Sequence, residues 1–112
     1  MQRLLFRALI GTTALFAVLT LPSRLQAQSD TAKTFKANCA LCHAPDGSGN
    51  SSTGKALGAK DLRSQEVQTK PDADLATTIT KGRGKMPAFG AKLKSDEIRQ
   101  MVAYVRDLAK AK

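Results

Sequence analysis

The chain has 112 residues, a formal net charge of +9, four Phe, one Tyr and no Trp. Aromatics this scarce exclude a surface on which nucleic-acid bases stack. The basic balance reads as a solvated surface or as steering toward an acidic protein partner.

The N-terminal stretch reads as a secretory signal. Arg3 and Arg7 form a positive start, and Ala8 to Leu21 is an apolar run broken only by Gly and Thr. Pro22 and Ser23 end the run, and Leu25-Gln26-Ala27 offers a small residue at a cut site. The run falls short of the ~20 residues that span a bilayer, and no later apolar segment could stop transfer. An uncleaved N-terminal anchor is the alternative. The expected division is therefore a signal peptide over 1–27 and one domain over 28–112, periplasmic or otherwise exported, with no stable membrane insertion after cleavage. The mature part holds 15 Lys and Arg against nine acids, so it stays basic at about +6. A domain this small has a marginal core and commonly leans on a disulfide, a metal or a bound group.

The mature part shows no alternation of β-branched and polar residues, and its periodicity is helical. A first helix is predicted over about Asp30 to Leu41. Ser29 or Asp30 caps it, and Ala32, Phe35, Cys39 and Cys42 recur along one face. Ala44 to Lys60 carries four Gly, a Pro and three Ser and cannot form a long helix. A short turn fits around Ser64 to Gln68. A middle helix is predicted from near Asp72 to Lys81, with acids at its start, Leu75, Thr78 and Ile79 inward, and Gly82 at its end. Gly82 to Lys94 is a Gly-rich loop holding Met86. The last helix runs from about Asp96 to Lys110, capped by Ser95, with Ile98, Met101, Val102, Val105 and Leu108 as its buried stripe.

Both cysteines and the only histidine fall together in Cys39-Ala40-Leu41-Cys42-His43. This is the Cys-x-x-Cys-His pattern of covalent haem attachment. Two thiols three apart can add to the vinyl groups along one porphyrin edge, and the next residue turns its imidazole toward the iron. Three other readings of the same residues remain. A thioredoxin-like dithiol would follow a strand, and none is predicted. Zinc needs four ligands, and only three of these types are present besides carboxylates. A plain structural disulfide is the third.

With His43 alone as histidine, a second axial ligand must come from Met, Lys, Tyr or water. Met101 sits on a buried helical stripe and reads as core filler. Met86 precedes Pro87, which biases it toward extended backbone, so its side chain can project from the loop.

These residues together resemble the class I mono-haem c-type cytochromes, of the short bacterial and algal kind. The motifs are Cys39-x-x-Cys42-His43, Met86-Pro87, and a C-terminal helix bearing an aromatic. The resemblance implies an all-α, small cytochrome c fold, with three to four helices wrapped around one covalently bound haem c. It implies thioether attachment at Cys39 and Cys42, with axial iron ligation by His43 and Met86. It implies crossing first and last helices with Phe35 and Tyr104 near the crossing. It also implies a loop carbonyl, often from a Pro-containing segment, on the proximal imidazole; Pro45 lies close to His43, but the acceptor has no sequence signature. Leu57, Leu62, Ile79 and Phe89 are pocket candidates.

The expected function is a soluble one-electron carrier rather than an enzyme, monomeric, working between larger redox proteins and without nucleic acid. Lys81, Arg83, Lys85, Lys92 and Lys94 flank Met86 as a rim that could meet an acidic docking face. The alternatives are a haem-c enzyme subunit or gas sensor with a labile sixth ligand, and a haem-free periplasmic thiol–disulfide protein.

Overall fold

The computed structural model describes residues 23–111. Among these the fold is all-α: α1 (Ser23–Asn38), α2 (Ala40–His43), α3 (Ser52–Leu57), α4 (Gln65–Gln68), α5 (Asp72–Lys81) and α6 (Ser95–Lys110). No strand forms among the described residues; an isolated bridge pairs Arg83 with Met86. Three helices are long and three are single turns or little more, so the expected count of three to four holds only for the longer elements. Most of the proposed signal, residues 1–22, lies outside the described residues.

α1 starts well upstream of the predicted position. Ser29 and Asp30 are interior to it, and Asp30 instead accepts from Gln26 Nε2 across one turn. No breaker follows Pro22, so the helix continues through both good capping residues. Of the residues from Ser23 to Asp30, none is buried; the inward contacts of α1 begin at Thr31 and Phe35. The helix breaks at Cys39, one residue before α2, where the prediction ran a single helix to Leu41.

α5 matches its predicted limits. Pro71 precedes it, Asp72 and Asp74 occupy the first turn where the helix dipole favours negative charge, and Gly82 closes it with a positive φ of 73°. α6 begins one residue earlier than predicted. Lys94, not Ser95, holds the cap position, and the Glu97 carboxylate accepts from the Lys94 backbone N–H at 2.7 Å. α3 forms inside the Gly-rich stretch because Ser51 caps it, accepting from Gly54 N, and Gly58 ends it in the left-handed region. α4 is capped in the same way by Ser64.

The core is built on α6. Val102 and Val105 pack with Val67 and Leu75; Met101 packs with Phe35 and Ala40; Ile98 packs with Phe89 and Leu93. Ile79 touches all three groups and Leu62 the first two, so both sit where the groups meet. α1 crosses α6 with the Phe35 and Tyr104 ring centroids 5.0 Å apart at 42°, as the resemblance implies. Arg106 ties α6 to the α4–α5 connection. It donates to the carbonyls of Gln68 (3.0 Å) and Lys70 (2.6 Å) and pairs with Asp72 at 2.7 Å.

Candidate functional site: the Cys39–His43 turn

Cys39, Cys42 and His43 come together because α1 ends at Cys39 and restarts at once as α2. The turn is anchored backward by Cys39 N–H to the Phe35 carbonyl (2.8 Å) and closed by His43 N–H to the Cys39 carbonyl (2.9 Å). Phe35 and Ala40, one on each side of the break, are both buried against α6. The core of the molecule thus fixes where the two thiols and the imidazole stand.

Both thiols are free and half-buried. Burial, and then the neighbouring Cys42, push the Cys39 thiol up to about 11, so it stays a neutral SH near neutral pH. Among the described residues no group of three or more His, Cys, Asp and Glu side chains could hold a metal ion, so zinc has no ligand set there.

The His43 imidazole has a fixed partner. Its Nδ1 lies 3.0 Å from the Lys60 carbonyl oxygen. A carbonyl only accepts, so Nδ1 is the nitrogen that donates here, and Nε2 is the one left to ligate a metal. This is the acceptor without a sequence signature: it comes from Ala59-Lys60-Asp61, a segment without proline, and not from the neighbourhood of Pro45. Lys60 is held in turn by an ion pair between its Nζ and Glu66, 2.9 Å apart. That pair holds the Glu66 carboxyl below its ordinary range.

Met86 lies in the loop that follows α5. The loop doubles back there, with reciprocal backbone hydrogen bonds between Arg83 and Met86 (3.1 and 3.0 Å). Phe89 N–H and Gly90 N–H then bond the carbonyls of Ile79 and Thr80, fastening the loop to the end of α5 (3.0 Å each). Met86 is half-buried against the Phe89, Leu93 and Ile98 group. Met101, by contrast, is 2% exposed inside the core, as expected of core filler. Of the pocket candidates, Phe89 is buried, Leu62 and Ile79 are half-buried, and Leu57 stands exposed on α3.

The donor set suits one covalent haem: two free thiols three apart on a turn, followed by an imidazole whose Nε2 faces away from the Lys60 hydrogen bond. The family model described as cytochrome c oxidase, cbb3-type, subunit III matches residues 26–105. Cytochrome c6 of Leptolyngbya boryana is 38% identical over 80 residues, 69% of this chain and 87% of that protein. The chain belongs to the c-type cytochrome family. Cytochrome c6 of Picosynechococcus is 34% identical over 114 aligned positions, covering 97% of this cytochrome and 96% of its relative. FixP, a cbb3-type cytochrome c oxidase subunit of Azorhizobium caulinodans, is 38% identical over 89 residues, but this cytochrome spans only 29% of it. Among solved structures, the c-type cytochrome KustC0563 superposes with a TM-score of 0.62 at 30% identity, over 70% of this chain and 95% of that one. No described helix is long and apolar enough to cross a membrane.

Proposed function

We propose that this cytochrome is an exported one-electron carrier whose haem c is attached at Cys39 and Cys42 and ligated by His43 and Met86. The group, when bound, supplies an iron that cycles between ferric and ferrous states. The protein's own residues hold it and bias that cycle. Cys39 and Cys42 fix it covalently, so it is not lost after export. Lys60 keeps His43 in the tautomer that presents Nε2. A thioether from Met86 favours the ferrous state relative to a ligand set without sulfur. Apolar side chains from Leu62, Ile79 and Phe89 exclude water and favour the less charged iron. Two protein ligands leave no open position for oxygen or peroxide, so transfer is outer-sphere and the protein is a carrier rather than an enzyme.

The observation that carries this reading is the pairing of free Cys39 and Cys42 with an imidazole whose Nδ1 is already committed to Lys60. Its partners are larger redox proteins. Lys81, Arg83, Lys85, Lys92 and Lys94 are all exposed around the Met86 loop, which supports docking to an acidic face. The signal assignment is supported by α1 burying nothing before Thr31, so a cut after Ala27 removes no buried side chain.

Expression with a haem-attachment system tests the assignment. The mature protein should gain the mass of one haem, and Cys39→Ser with Cys42→Ser should abolish covalent attachment. Covalent haem persisting in that double variant, or colourless wild-type protein, would overturn it.

A further inference from the structure

We infer that Gly49 is a positioning residue for the iron: its bare Cα lets the Lys60 carbonyl close on His43, and it thereby sets the reduction potential. The inference rests on the proposed ligation by His43. Gly49 bonds the His43 backbone and lies beside the Ala59–Lys60 segment that supplies the acceptor. Its N–H donates to the His43 carbonyl at 2.7 Å, and a Cβ placed on it would lie 2.8 Å from the Ala59 oxygen and 3.3 Å from the Lys60 oxygen. The Ala59–Lys60 segment cannot retreat freely. Ala59 N–H bonds the Gly54 carbonyl (2.8 Å), Leu62 N–H bonds the Gly47 carbonyl (2.7 Å), and Lys60 is paired with Glu66. A methyl at Gly49 therefore acts on the acceptor of the His43 proton.

A partner on the outer ring nitrogen raises the basicity of a ligating imidazole, and a more basic ligand favours the more positive metal. Lengthening the Nδ1–H to Lys60 bond thus shifts the iron toward the ferrous state. Backbone strain is separable from this effect within the same molecule. Gly49 has φ +72° and Gly58 has φ +69°, yet a Cβ on Gly58 meets nothing within 4 Å. Both alanine variants carry the left-handed strain, and only one presses on the Lys60 carbonyl.

The test compares Gly49→Ala, Gly58→Ala and Ala59→Gly in the haem-bearing protein. It reads the ferrous-to-ferric ratio at fixed ambient potential and the solvent exchange of the His43 Nδ1 proton by NMR of the ferrous form. Gly49→Ala should raise the ratio about three- to tenfold, tenfold being 59 mV for one electron, and should speed the exchange about tenfold or more. Gly58→Ala should change neither. If Gly49→Ala matures poorly, Ala59→Gly still decides. The hydrogen bonds to the Gly54 and Gly47 carbonyls, rather than the backbone preference of residue 59, hold the segment against the open space at Gly49, so exchange should stay within about twofold of wild type. A Gly49→Ala protein with wild-type ratio and exchange, equal shifts in Gly58→Ala, or a large rise in exchange in Ala59→Gly would each overturn the inference. The red spectrum of the wild type, checked first, reports separately on the attachment reading.

Discussion

Removing the Phe35 ring should cost this cytochrome a large part of its stability. Phe35 is 2% exposed, its ring lies 5.0 Å from that of Tyr104, and it packs with Ala40 and Met101 where α1 crosses α6. Truncating a buried Phe to Ala costs about 3–5 kcal/mol, which combines lost burial with the cavity left behind. A domain of this size has on the order of 5–10 kcal/mol in all, so Phe35→Ala should sit near the edge of folding. At about 4–8 °C per kcal/mol for so small a domain, the Tm should fall by roughly 15–30 °C. Phe35→Leu keeps most of the apolar volume and forfeits mainly the ring pair, a further interaction of about 0.5–1.5 kcal/mol; its loss should be less than half as large. The assay is guanidinium unfolding of the ferric haem protein, followed by far-UV circular dichroism and by visible absorbance. Because the Phe35 carbonyl anchors Cys39, the visible transition should move with the helical one. A cost below about 1 kcal/mol for Phe35→Ala would refute the view that the α1–α6 crossing fixes the Cys39–His43 turn.

Arg106→Ala should destabilise by about 1.5–3 kcal/mol, because its side chain is only 24% exposed and its bonds to the Gln68 and Lys70 carbonyls are charge-assisted. Arg106→Lys should recover less than half of that in the same unfolding assay, since an ammonium cannot serve the three acceptors in their fixed fork. Electron transfer to an acidic redox partner should slow as ionic strength rises, and Lys81→Glu with Lys85→Glu should slow it further at low salt while leaving the midpoint unchanged; stopped-flow kinetics check both. Exported protein should begin near Gln28 by intact mass, with its unfolding midpoint equal to that of the uncleaved chain.

Much of this fold is legible in local chemistry. α5 carries its limits in Pro71-Asp72 and Gly82, and the Ile98, Met101, Val102 and Val105 stripe of α6 is spaced so regularly that its buried face follows directly. The start of α1 is less legible. Ser29 and Asp30 have the chemistry of caps, but a cap is used only if the chain upstream stops being helical, and nothing between Ser23 and Ser29 stops it. α3 shows its signals, Ser51 before and Gly58 after, within a stretch whose glycine content masks them.

The Cys39–His43 turn is legible because Cys39, Cys42 and His43 fall within five residues of sequence and on one short turn. The Lys60 acceptor is not, since a backbone carbonyl carries no residue-type signature and its place depends on the left-handed turn at Gly49 and on the close approach of α3 at Gly54. Gly54 itself shows how tight this return is: a Cβ there would collide with the Cys42 carbonyl oxygen. The Arg106 staple is hidden for the same reason, because its acceptors are mostly main-chain oxygens more than thirty residues away.

The most direct test of the central claim is redox-titrated visible spectroscopy of wild type and Met86→Ala side by side. The wild type should titrate as a single one-electron couple and show the weak red-end band of sulfur-ligated ferric haem. Met86→Ala should lose that band and titrate at a lower midpoint. A Met86→Ala spectrum and midpoint indistinguishable from wild type would contradict ligation of the iron by Met86, and with it the two-ligand electron carrier described above.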